Sequence, residues 1–189
     1  TKQLMPGKKN TLAVRLENLP ESSRWYPGAG LYRNVHVIVT ENAHIPVWGT
    51  YVTTPTATKE FAKVNVRTQI VLLEGADAGK YSVKTSVWNP NGQKLTEQTI
   101  PLSQIKYNDN SLSQEFIIQT PTLWSPDMPA LYSAETRLYE GDQLKDIYTT
   151  PFGIRSIEII PNKGFFLNGE KTVFKGVCNH HDFCLLYTS

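Results

Sequence analysis

An all-β fold with an immunoglobulin-like sandwich at its centre is what this sequence predicts, on three observations. Between about His44 and Ile154, seven short segments alternate apolar and polar residues with a period of two, as strands with one buried face do. Gly, Pro and Asn fall in the gaps between them, where turns need those residues. No stretch combines a helical period with helix caps. Seven such strands in about 100 residues is the pattern of the sandwich class. The Cys…Trp…Cys spacing of antibody domains is absent, which excludes that branch and leaves the class standing.

The strands follow in order. Leu12, Val14 and Leu16 share one side of Thr11–Leu16, which predicts a half-buried strand. The Pro- and Gly-rich stretch from Pro20 to Gly30 is a loop, and Val35, Val37 and Val39 alternate again as a second strand. Two strands alone are marginal, so this segment reads as the end of a domain whose earlier strands are absent. The sandwich strands are Val47–Thr54, Phe61–Leu73 (through Val64, Val66 and Ile70), Tyr81–Val87, Lys94–Ile100, Leu112–Gln119, Leu131–Tyr139 and Leu144–Ile154. Asn91-Gly92 marks the turn of a hairpin between the third and fourth. After Ile160-Pro161 the character changes. Asn168-Gly169 predicts a tight hairpin, and Thr172–Val177 is almost continuously apolar, as a strand buried on both faces would be. That third unit reads as a beginning without its body.

Composition bounds the function. The 189 residues carry 19 Lys+Arg against 17 Asp+Glu, a net charge of +2, so there is no electrostatic footprint for nucleic acid or an anionic membrane. No apolar run approaches the roughly 20 residues that a membrane helix requires. The only cysteines, Cys178 and Cys184, build no disulfide framework, so the fold rests on its core.

The most polar cluster is Asn179-His180-His181-Asp182. Adjacent histidines on an extended strand point to opposite faces, and Cys178 with His180 makes two ligands where a structural zinc wants four, so no metal or cofactor site is expected. Two other readings remain. The cluster simply ends a strand, or, if Thr172–Val177 opens a parallel barrel, it sits at the strand end where such barrels gather their active-site residues. His180 would then face the pocket mouth and bind a polyhydroxylated ligand. In Arg24-Trp25-Tyr26 an aromatic face is suited to stack on a sugar while the arginine binds hydroxyls. On composition alone the plainer reading, loop anchors packed on a neighbouring domain, is preferred. Glycosidic acid/base chemistry needs two positioned carboxylates. Asp77, Asp109, Asp142 and Glu170 sit in evident turns as solvated surface, so no catalytic residue is nominated.

Four segments carry a resemblance. Gly28-Ala-Gly-Leu-Tyr-Arg-Asn-Val35 resembles the Gly-Ile-Tyr-Arg-Asp/Asn-Val segment of glycoside hydrolase family 2, which closes that family's N-terminal jelly roll. Leu123-Trp-Ser-Pro-Asp-Met-Pro-Ala-Leu-Tyr132 resembles the Leu-Trp-x-Pro-x-x-Pro-x-Leu-Tyr segment of its immunoglobulin-like domain. Phe152-Gly-Ile-Arg-Ser-Ile-Glu158 resembles its Phe-Gly-x-Arg-x-Ile/Val junction. Phe165-Phe-Leu-Asn-Gly-Glu-Lys-Thr-Val-Phe-Lys-Gly-Val177 resembles the entry to its catalytic barrel. The order is the family's, and the wording is nearest to bacterial β-galactosidase-like members; β-glucuronidases and β-mannosidases share the architecture.

The resemblance implies a fold: an immunoglobulin-like β-sandwich flanked by the last strands of a jelly-roll domain and the first strand of a (β/α)8 barrel. The expected divisions are 1–42 for the incomplete jelly roll, 43–155 for the sandwich and 156–183 for the incomplete barrel. It also implies an activity, exo-acting hydrolysis of terminal β-glycosides with retention, through two glutamates about 5–5.5 Å apart. Both glutamates fall beyond residue 189, so this chain is expected to hydrolyse nothing by itself. The partner implied is a β-linked glycoside. His180 matches the family's barrel-strand histidine near the sugar, with Asn179 and Asp182 beside it. Arg24 and Trp25 are carried over as subsite wall, Arg24 standing near where some β-galactosidases place an Asp. The rival from another class is a non-catalytic sandwich module for adhesion, which would have no use for a barrel entry at 164–182. The tail departs from the family: Cys184–Ser189 back-translates as TGT-CTC-TTA-TAC-ACA-TCT, similar to a transposon-end sequencing adapter, and is expected to be read-through on a fragmented gene.

Overall fold

The computed structural model describes residues 4–5, 7–17, 19, 30–31, 33–73, 75–104 and 111–177. The chain divides into two units, one of Thr1–Val37 with Lys175–Ser189, the other Ile38–Phe174. Among the described residues of both, no helix is long and apolar enough to cross a membrane.

The second unit is a β-sandwich. Its strands are β1 (Ala43–His44), β2 (Thr50–Ala57), β3 (Phe61–Gln69), β4 (Val71–Leu72), β5 (Tyr81–Trp88), β6 (Lys94–Pro101), β7 (Ser111–Gln119), β8 (Tyr132–Glu140), β9 (Gln143–Phe152), β10 (Ile157–Ile160), β11 (Gly164–Leu167) and β12 (Glu170–Lys171). One sheet has the order β2-β3-β7, the facing one β6-β5-β8-β9, and every pairing is antiparallel. Two short ribbons, β1-β4 and β10-β11-β12, are appended. Constant-type antibody domains place their fourth strand in the sheet of the first. Here β6 stays beside β5, because the loop Asn89–Gln93 turns the chain straight back: the Asn89 carboxamide accepts the N–H groups of Asn91 and Gln93, and Gly92 takes φ 78°.

The alternation seen in the sequence is the burial pattern. In β3, β5, β7 and β8 every second residue faces the opposite sheet and is lost to solvent. Two apolar clusters result. Ala62, Val64, Val66, Val87, Phe116, Ile118, Ala134 and Ile154 form one; Ala43, Ile45, Ile70, Val83, Leu112 and Leu138 form the other. Between them lies a layer of buried polar side chains, Thr68, Thr85, Gln114 and Thr136. The Thr85 hydroxyl donates to Gln114 Oε1 at 2.6 Å and lies 3.3 Å from the Thr136 hydroxyl, directly across the β5–β8 ladder. Gln114 Nε2 donates to the Gln98 carbonyl at 2.9 Å, tying β7 of one sheet to β6 of the other.

Five expectations need correction. Val47–Thr54 is displaced: Gly49 N–H donates to the Pro46 carbonyl at 2.8 Å, so Val47 belongs to a turn and the strand begins at Thr50. Phe61–Leu73 is two strands, since the chain leaves β3 at Ile70, which is buried, and Val71–Leu72 pairs with β1 instead. Thr11–Leu16 and Val35–Val39 form no strand. Neither makes ladder bonds, and Val14 and Val37 are 54% and 85% exposed. Around the first of these the polypeptide bonds locally, Asn10 closing on Met5 and Lys8. Thr172–Val177 is likewise not a buried strand: after Thr172 N–H reaches the Phe165 carbonyl the ladder stops, and Phe174 is 75% exposed. Alternation fixes the phase of a strand but supplies no partner, and a strand without one is marginal. Asp109 and Gly28–Ala29 lie outside the described residues.

One surface group makes a pH prediction. Glu97 on β6 lies 2.8 Å from Lys94 Nζ and 3.1 Å from Lys84 Nζ. The hydrogen bond from Lys94, then that from Lys84, holds its carboxyl down at about 2, against 4.5 for the free group. A depressed carboxylate stabilises the fold above its unfolded pKa, and that contribution is lost as pH falls from about 4.5 through about 2. Carboxyl chemical shifts followed against pH should place its midpoint near 2. In 1 M salt, where the screening length is about 3 Å, the midpoint should climb toward the ordinary range.

Candidate functional site

The residues expected to touch a sugar, Arg24, Trp25, Asn179, His180 and Asp182, all lie outside the described residues. Of the turn carboxylates, Asp77, Asp142 and Glu170 are exposed, and Asp77 Oδ1 accepts the Gly79 N–H at 3.0 Å to cap a single 3-10 turn. No group of three or more His, Cys, Asp and Glu side chains is placed to hold a metal among the described residues.

What the described part does build is a joint. Three of the four sequence motifs meet at one end of the sandwich. Asn168-Gly169 forms a two-residue turn between Leu167 and Glu170, with φ 52° and 81°, the backbone an Asn-Gly pair adopts most readily. The Asn168 side chain then works on both sides. Its Oδ1 accepts the Ser156 N–H at 3.0 Å while its Nδ2 donates to the Trp124 carbonyl at 3.0 Å. Its own N–H donates to the Ser156 carbonyl at 3.0 Å. One asparagine thus bolts the hairpin β11–β12 to the strand exit at Ser156 and to the long loop before β8.

That loop is itself braced. Trp124 N–H donates to the Ile154 carbonyl at 2.8 Å, and the Arg155 guanidinium lies 4.8 Å above the Trp124 ring, a cation–π contact. Ser125 and Met128 close the Pro-rich turn on each other, through Ser125 N–H to the Met128 carbonyl and Met128 N–H to Ser125 Oγ. Tyr132, buried at the start of β8, accepts the Thr122 N–H on its phenol oxygen at 2.9 Å. A Tyr at the start of this strand, bonded to upstream backbone, is similar to the tyrosine corner of immunoglobulin-like domains, although here the bond reaches ten residues back. The sequence reading missed it, although a Tyr at the start of the sixth strand, following a Pro-rich loop, was the signal. The role these contacts show is mechanical: they hold the hairpin, the strand exit and the long loop together.

Comparison with known proteins decides the family. A sequence model described as Glycosyl hydrolases family 2 matches residues 43–155. The chain belongs to glycosyl hydrolase family 2. Among its relatives, Beta-galactosidase BoGH2A of Bacteroides ovatus is 36% identical over 183 residues, which are 96% of this chain and 21% of that protein. A Beta-glucuronidase of Bacteroides fragilis is 29% identical over 93% of this chain and 27% of that one. A crystal structure of a beta-glycosidase from Bacteroides vulgatus superposes with a TM-score of 0.71 at 32% identity, covering 84% of this chain and 19% of that one. The family 2 chain described here therefore spans roughly a fifth of the length of the relatives it matches.

Proposed function

We propose that this chain is the middle of a retaining, exo-acting, β-galactosidase-like glycosidase, and that its sandwich holds two larger bodies in register. In that reading residues 1–42 end a jelly roll, 43–155 are the linking sandwich, 156–183 enter the catalytic barrel and 184–189 are adapter read-through. The observation that carries it is the 36% identity across 183 residues to a protein named a β-galactosidase, with four family motifs in the family's order. His180, Asn179 and Asp182 would stand at the sugar subsite, with Arg24 and Trp25 as its wall. The joint at Trp124, Arg155 and Asn168 would set the angle at which the barrel leaves the sandwich. In a retaining enzyme two glutamates about 5–5.5 Å apart would act as nucleophile and acid/base. A second reading, a β-glucuronidase of the same family, has its own support in the relative from Bacteroides fragilis.

The test pairs the 189-residue chain with the protein read from the complete gene, on 4-nitrophenyl β-D-galactoside and β-D-glucuronide. The full-length protein should hydrolyse the galactoside faster, releasing the β-anomer first in the proton spectrum, and the 189-residue chain should hydrolyse neither. Turnover by the short chain, or a full-length enzyme that prefers the glucuronide, overturns the proposal.

A further inference from the structure

A groove of about 670 Å³ runs along the side of the sandwich where the free edges of β2 and β9 face each other. Its shape comes from the sequence of β2. The β2–β3 register slips between Thr53 and Thr56, around Pro55. A bulge bends a strand away from its neighbour, and a proline has no N–H to give a further ladder. The edge therefore stays open as a groove and is blocked as a docking site for another strand.

The walls are polar in a particular way. Tyr51 is 66% exposed on one side. Thr53, Thr54 and Ser156 bring hydroxyls, Leu131 an apolar patch, and Arg155 a charge. Arg155 is the unusual member. Its carbonyl is held by the Thr54 hydroxyl at 3.0 Å and its guanidinium is stacked 4.8 Å over Trp124. Stacking fixes the orientation of the fork and leaves its N–H edge free to donate. No described carboxylate forms an ion pair with it, although it is exposed, whereas Lys63, Lys84 and Lys145 of this unit pair with Glu115, Glu97 and Glu140.

We propose that this groove binds a saccharide carrying one carboxylate, a uronic acid ring, with the carboxylate on Arg155 and the hydroxyls on Thr53, Thr54 and Ser156. The C–H face of the ring would lie on Tyr51. One pre-oriented guanidinium matches one carboxylate in a bidentate pair. Phosphate groups are served by several cations or by a helix N-terminus, and this groove has neither. A neutral sugar would use the hydroxyls and leave the guanidinium without a counter-charge. The proposal stands on residues 51–156 alone and does not depend on the glycosidase reading.

The experiment is a titration of the isotope-labelled 189-residue chain with methyl β-D-glucuronoside, methyl β-D-galactoside and sodium acetate, followed by amide and guanidinium shifts. Saturating shifts at Tyr51, Thr53, Arg155 and Ser156 are expected with the glucuronoside. The galactoside and acetate should bind at least about tenfold more weakly, each lacking one half of the recognition. Arg155→Gln should abolish the response, Arg155→Lys should keep a weak remnant, and Tyr51→Ala should weaken it about tenfold; stacking on an aromatic ring is of that size. Arg155 and Tyr51 are exposed, so an unchanged amide spectrum elsewhere verifies the fold of each variant. Absence of shifts at these residues, an equal response to galactoside or to acetate, or a response that survives Arg155→Gln overturns the proposal.

Discussion

Replacing Gln114 with alanine is expected to destabilise the sandwich by about 3–5 kcal/mol, the sum of a cavity and a broken buried network. The side chain is 1% exposed and spans both sheets. Its oxygen accepts from Thr85 at 2.6 Å and its nitrogen donates to the Gln98 carbonyl at 2.9 Å. Truncation empties the space between the two apolar clusters and leaves the Thr85 hydroxyl with only Thr136, at 3.3 Å. Gln114→Leu keeps most of the volume, so the cavity part disappears and about 1–2 kcal/mol of lost hydrogen bonding remains. Thr68, in the same layer, should respond with the opposite sign. Its hydroxyl is buried with no partner among the described residues, so Thr68→Val removes an unsatisfied group at equal shape. A gain of up to about 1 kcal/mol is expected. Urea unfolding of the three variants decides the matter. If Gln114→Ala and Gln114→Leu cost the same, the cavity plays no part. If Thr68→Val destabilises, the hydroxyl has a use the geometry does not reveal.

This layer also marks what a sequence reader could and could not see. The phase of Leu112, Phe116 and Ile118 already placed Gln114 on the inner face, because a strand changes face at every residue. The same period made β3, β5, β7 and β8 legible, since each has one dry side and one wet side. Where both sides read alike, the period says nothing. The apolar run Thr172–Val177 has no phase, and its assignment as a buried strand failed for that reason. Val47 carried the right residue type for a strand, but the turn closed by Gly49 on Pro46 overrode it. Strands β1 and β10 are too short to show a period, and β10 exists through its partner, Glu158 opposite Phe166 and Ile159 opposite Phe165. The motifs were legible as strings. That Trp124, Arg155 and Asn168 converge was not, because their contacts join residues up to 44 positions apart through one asparagine side chain. The proposed sugar contacts, Arg24, Trp25 and the Asn179–Asp182 cluster, rest on family likeness alone.

At Gly153 a single added methyl group should loosen the joint. A Cβ built there would meet the Trp124 Cβ, Cγ and Cδ1 at 2.8, 2.8 and 2.9 Å. Rotation of the indole gives no relief, because the nearest atom is the tryptophan's own Cβ, fixed by its backbone. That backbone is held in turn by Ile154 at 2.8 Å on its N–H and by Asn168 at 3.0 Å on its carbonyl. The strand exit and the loop must therefore part. Overpacking of this kind is expected to cost about 1–3 kcal/mol for Gly153→Ala, and more for Gly153→Val. The cost should not be spread evenly. The bonds of Asn168 to Ser156 and Trp124 lie across the opening, so amide exchange at Ser156 and Asn168 should accelerate more than at Val83 or Leu138, which stay in a core the change does not touch. A double-mutant cycle locates the strain. In a Trp124→Gly background, which removes the Cβ as well as the indole, the methyl group has room, and Gly153→Ala should then be close to neutral, giving a coupling of about the whole single-mutant cost. If the penalty is the same with and without the indole, the strain arises at the strand and the joint is not what Gly153 serves.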